Sequence, residues 1–121
     1  VVACLTAGHS EDRPSPIIGY AFDGFAIHGS IGCADAECTR LATYRSGWST
    51  TGDPRTYAWD NHEFLADDDP LTLDRCNGHV EPGGDYHYHA TADFPYILGC
   101  YSGYVDPSME RPHRGPPRRR E

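Results

Sequence analysis

Apolar residues along this chain come in short bursts, with turn residues recurring roughly every 8 to 12 positions, a rhythm of short strands and loops. Ile17-Ile18-Gly19-Tyr20-Ala21-Phe22 reads as a buried strand, Asp23-Gly24 as a tight turn and Phe25-Ala26-Ile27-His28-Gly29 as the returning strand. Residues 57–65 suit a strand or a short turn of helix, and Asp67-Asp68-Asp69-Pro70 ends them. A second hairpin follows: His79-Val80-Glu81, a turn at Pro82-Gly83-Gly84-Asp85, and a strand from Tyr86 to Thr91. Phe94 to Tyr101 reads as a last apolar strand. The fold class expected is mostly β: a small, disulfide-tied antiparallel domain with two β-hairpins and long loops.

The second hairpin carries the most pointed chemistry. In Tyr86-His87-Tyr88-His89 the side chains alternate faces, so His87 and His89 share one face about 7 Å apart along the strand. The tyrosines take the other. Two imidazoles so placed can chelate one ion, and imidazole suits zinc, copper, nickel or iron. The bland alternative is tyrosines in a core and histidines hydrogen-bonded at the surface. A third ligand depends on turn parity. A two- or four-residue turn puts His79 on the tyrosine face. A three-residue turn, Gly83-Gly84-Asp85, pairs His79 with His89 and clusters three histidines. His28, at the end of the first hairpin, is a more distant candidate.

Composition narrows the class. In 121 residues there is room for one core, and Gly 13 and Pro 10 punctuate it heavily. The chain lacks lysine, and five of its ten basic residues, all arginine, fall in the last eleven positions. Residues 1–110 carry 17 acidic residues against five arginines, a net charge of −12 that repels nucleic acid and attracts cations. A folded body over 1–104 and a Pro/Arg-rich arm over 105–121 are expected. No apolar run approaches the roughly 20 residues of a membrane span.

Five cysteines in so small a chain favour an oxidising compartment. Spacing pairs Cys33 with Cys38 and Cys76 with Cys100, leaving Cys4 for an upstream or intermolecular partner. Other chemistry is poorly supported. His62-Glu63 begins a zinc-protease pattern whose second histidine is replaced by Ala66. No nucleophile elbow, P-loop or calcium loop is present. The Asp67–Asp69 run reads as a solvated turn, with loose calcium binding as a lesser alternative that ranks below zinc or copper.

The stretches 15–29 and 73–101, with LDRCNGHVEPGGDYHYHATADFPYILGCY in the latter, resemble the YHYH domain family over roughly residues 9–104. That resemblance implies a secreted or surface setting, further sequence upstream, and so a partner for Cys4; it implies no activity. His28 stands where many members have tyrosine. The expected role is a non-catalytic extracellular module that binds a transition metal through the YHYH hairpin. Its rivals are a structural protomer of a filament or coat, associating with its own copies or with matrix proteins, and a metal-dependent enzyme with an open coordination position.

Overall fold

A computed structural model describes residues 7–8, 11–53 and 55–109. Eight short strands form: β1 (Ile17–Tyr20), β2 (Ala26–His28), β3 (Ile31–Cys33), β4 (Leu41–Thr43), β5 (Trp48–Thr50), β6 (His62–Phe64), β7 (Gly78–Val80) and β8 (Tyr86–His89). A 3-10 turn at Pro107–Met109 follows. Among the described residues no helix is long and apolar enough to cross a membrane. The main sheet has the order β1-β2-β8-β7, and β3–β4 and β5–β6 are separate antiparallel ribbons.

Both expected hairpins form, and they are built alike. In the first, the Ala21 amide donates to the Phe25 carbonyl and Gly24 donates back to Ala21. In the second, Glu81 donates to Asp85 and Gly84 donates back to Glu81. Each loop therefore holds three residues and ends on a glycine. Gly84, at φ +123°, adopts a backbone that a side chain would strain.

The hairpins join in a way that the antiparallel expectation omitted. β2 and β8 run parallel, with Ile27 opposite Tyr88 and His28 opposite His89. Parallel neighbours need a long crossover, and residues 29–85 supply it. The centre of the sheet therefore unites segments far apart in the chain.

The tyrosine face of β8 is the core. Tyr88 is fully buried among Ala21, Ile27 and Cys76, with Phe25, Ile97 and Leu98 around them. Phe25 meets Tyr86 edge-on at 4.9 Å and Tyr88 at 6.1 Å between ring centroids. A buried phenol needs a partner for its hydroxyl. Tyr86 donates to Asp74 Oδ2 at 2.7 Å, and Tyr88 donates to Asp23 Oδ2. Burial, reinforced by Asp23, pushes the Tyr88 phenol up to about 12, so it stays a donor.

Two expectations are corrected. Residues 94–101 are no strand. Pro95 has no amide to give a ladder, and the segment folds back instead: Thr91 donates to the Tyr96 carbonyl and Gly99 to that of Cys76. Residues 58–60 form a turn, and of residues 57–65 only His62–Phe64 is strand. A second cluster gathers there, with Trp59 4.7 Å from Phe94 and Trp48 5.5 Å from it.

Disulfides link Cys33 to Cys38 and Cys76 to Cys100. Cys4, and the arm beyond Met109, lie outside the described residues. The longer loop gains more from closure. Loop entropy assigns about 3.5 kcal/mol to Cys76–Cys100 and about 2.2 kcal/mol to Cys33–Cys38. Replacing each pair by serine and following urea denaturation should give that ranking; a larger loss from the Cys33–Cys38 pair would contradict it.

Candidate metal centre

The opposite face of β8 assembles the histidines. β7 pairs with β8 in the register Gly78–Tyr88, His79–His87, Val80–Tyr86. The turn holds Pro82-Gly83-Gly84, three residues long but one residue earlier than the Gly83-Gly84-Asp85 alternative. The register is thereby shifted by two, opposing His79 to His87 rather than to His89. A shift of two preserves the face, so the three histidines still cluster.

The Nε2 atoms of His79, His87 and His89 form a small triangle. Its edges are 3.1 Å (His79–His87), 2.9 Å (His79–His89) and 2.9 Å (His87–His89). His89 and His87 are buried, 1% and 6% exposed, and His79 is half-buried. Among the described residues this is the group of three that can hold a metal ion. One imidazole proton cannot serve all three edges. A cation at the common point serves all three lone pairs.

The rings are held from behind. His89 Nδ1–H donates to the Gly29 carbonyl at 2.6 Å, which leaves the Nε2 lone pair of the neutral ring facing the cluster. Glu81 Oε2 stands 3.8 Å from His87 Nδ1, on the ring's far nitrogen. Tyr44 stacks on His89, centroids 4.7 Å apart and planes 17° apart, and lies 4.2 Å from His79. Its hydroxyl donates to the Cys33 carbonyl at 2.8 Å, tying the ring to the β3–β4 ribbon. Gly32 makes room: a Cβ there would fall 2.8 Å from Tyr44 Cε2 and 3.1 Å from His89 Cε1.

Asn77 locks the strand that bears the cluster. It is fully buried at φ +71°. Its Nδ2 donates to the His89 carbonyl at 2.7 Å and to Thr91 Oγ1 at 3.1 Å. Asp74 Oδ1 accepts the amides of Cys76 and Gly78, shaping the turn into β7.

His28 stands beside the triangle, outside it. Its ring is 4.8 Å from that of His87 and 6.1 Å from that of His89, and its Nδ1–H donates to the Ser15 carbonyl at 3.0 Å. His62 is elsewhere, stacked on Phe94 at 4.1 Å. In the Asp67–Asp69 run, Asp67 accepts from Thr72 and the Asp69 amide, and Asp69 pairs with Arg45. Sequence reasoning missed Tyr44, Gly32, Gly29, Glu81 and Asn77. Tyr44 and Gly32 fall in a stretch whose pattern gives no sign of β8. Asn77 was visible as part of a turn, with no sign of its buried role.

A family model described as YHYH protein matches residues 3–103. The chain belongs to the YHYH family. No curated protein and no solved structure matches it. Within this YHYH domain the naming run has two faces with separate tasks, tyrosines closing the core and histidines converging on one point.

Burial keeps the three imidazoles neutral. It pulls His89 down to about 3 and His79 to about 4, with His87 lowered as well, mainly by burial and then by repulsion from His28. Proton competition for these nitrogens is thereby moved below the 6.5 of a free imidazole. Lowered folded-state values mean that the unfolded chain binds protons first as pH falls. Metal-free protein should therefore be most stable, as far as these groups decide, above about pH 6.5 and lose stability progressively toward about pH 3. Urea denaturation across that range checks it, with a His79→Gln/His87→Gln/His89→Gln variant expected to show a flatter profile. Equal slopes for both proteins would contradict the assignment.

Proposed function

We propose that this domain is a small extracellular or surface module that binds one transition-metal ion, zinc or copper, through Nε2 of His79, His87 and His89. The observation that carries the reading is the convergence of three imidazole nitrogens, two of buried rings and one of a half-buried ring, within 3.1 Å of one another. The donor set is all nitrogen, which favours zinc, copper or nickel over calcium or magnesium. Two disulfides and membership of the YHYH family support an oxidising, secreted setting. Cys4 and the 105–121 arm belong to the proposal as points of attachment to other chains.

Calorimetric titration of metal-free protein with zinc and with copper should give one site per chain. His79→Ala, His87→Ala and His89→Ala should each weaken it by roughly 100-fold or more, against the 10- to 100-fold typical of supporting residues. His62→Ala should leave it unchanged. Retention of full affinity in the triple variant, with native disulfides, would overturn the reading.

Association into a coat or filament is a second reading with its own support. β1 and β7 end the main sheet, and among the described strands neither has a partner on its outer edge. Tyr20 on β1 is 68% exposed and Val80 on β7 is 64% exposed. Free edges accept added strands. Sedimentation of the whole chain should show assembly that weakens with salt and with removal of residues 111–121. A monomer at high concentration and low salt would exclude it.

A further inference from the structure

The triangle of nitrogens has a size that bears on what else the ion can hold. With metal–nitrogen bonds of about 2.0–2.1 Å, tetrahedral angles need nitrogens about 3.3–3.4 Å apart, and right angles need about 2.9 Å. The observed edges of 2.9, 2.9 and 3.1 Å lie near the right-angle end. Three donors at right angles occupy one face of an octahedron. Even after relaxation to tetrahedral angles, three donors leave one position unfilled.

Other donor groups nearby are engaged elsewhere. No fourth His, Cys, Asp or Glu among the described residues joins the cluster. Glu81 approaches His87 at Nδ1, the nitrogen that does not face the triangle. The Tyr44 hydroxyl is held by the Cys33 carbonyl. His28, the nearest further imidazole, gives its Nδ1–H to Ser15 and keeps its ring 4.8 Å from His87. The two more deeply set ligands, His87 and His89, are closed in by Tyr44, His28 and the sheet. His79 is the half-buried member and marks the side from which the ion is reached.

We infer that the ion held by His79, His87 and His89 is coordinatively unsaturated and takes a small exogenous lone-pair donor, water or a small anion, as a further ligand. The inference rests on the proposed metal-binding reading and deepens it. A closed four-ligand site would serve structure alone, whereas an open one exchanges ligands and polarises what it binds. His79, the half-buried member, leaves the cluster less covered on its own side than on that of His87 and His89. The exchange is a simple substitution in which the incoming donor displaces water, with no change in oxidation state.

Cobalt(II) is the probe, because its visible absorption reports both binding and coordination number. Metal-free protein should first take up one equivalent of cobalt with visible bands that His87→Ala and His89→Ala abolish. Titrating azide into the cobalt protein should then shift those bands saturably. The same shift should appear in the His28→Phe variant, because His28 is not a ligand. Cobalt bands that ignore azide in the native protein would overturn the inference while leaving the metal site intact. A response gained only in His28→Phe would overturn it too, by showing that His28 swings onto the ion. Failure to bind cobalt, zinc or copper at all would remove the metal-binding reading and this inference with it.

Discussion

The structure depends on burying β8 on both faces. A central strand with polar side chains on each side is costly unless every polar atom finds a partner. Tyr86 and Tyr88 meet that demand by turning their rings into the core and their hydroxyls onto Asp74 and Asp23. His89 meets it through the Gly29 carbonyl, and the strand's own carbonyl at His89 is held by Asn77. On the histidine face, the close approach of three Nε2 atoms is not settled by protein groups alone. A cation there would remove that repulsion, so the same pleat that closes the core also brings the three histidines together.

Parallel pairing of β2 with β8 makes this arrangement possible. It encloses β8 between β2 and β7, and it carries His28 and Gly29 to the back of the histidine face. The crossover between them returns by way of the β3–β4 ribbon, whose following residue Tyr44 covers His89. The small Cys33–Cys38 loop steadies that ribbon, and Cys76–Cys100 fastens the turn leading into β7 to the segment that packs under Asn77. Each disulfide is therefore tied to the cluster through one intermediary, Cys33–Cys38 through Tyr44 and Cys76–Cys100 through Asn77.

The legible parts of the sequence were the local ones. Asp23-Gly24 and Pro82-Gly83-Gly84-Asp85 marked both hairpins because positive-φ turns restrict residue choice sharply. The Tyr-His alternation gave the two faces directly, and cysteine spacing matched both bonds. The register of His79 was left open because a glycine-rich turn can close at several lengths. Phe94 to Tyr101 was misread because its apolar content signals burial without specifying strand. Tyr44 and the β2–β8 pairing left no local trace, since both depend on contacts between segments far apart in the chain. The same holds for Asn77, whose turn role was apparent and whose buried amide was not.

Nitrogen chemical shifts of histidine-labelled protein test the central claim most directly, because they report tautomer and metal attachment ring by ring. In the metal-free protein His89 should carry its proton on Nδ1 at neutral pH. One equivalent of zinc should then move the Nε2 resonances of His79, His87 and His89 together, leaving His62 in place. A His89 protonated on Nε2, or a zinc response confined to other histidines, would contradict the account.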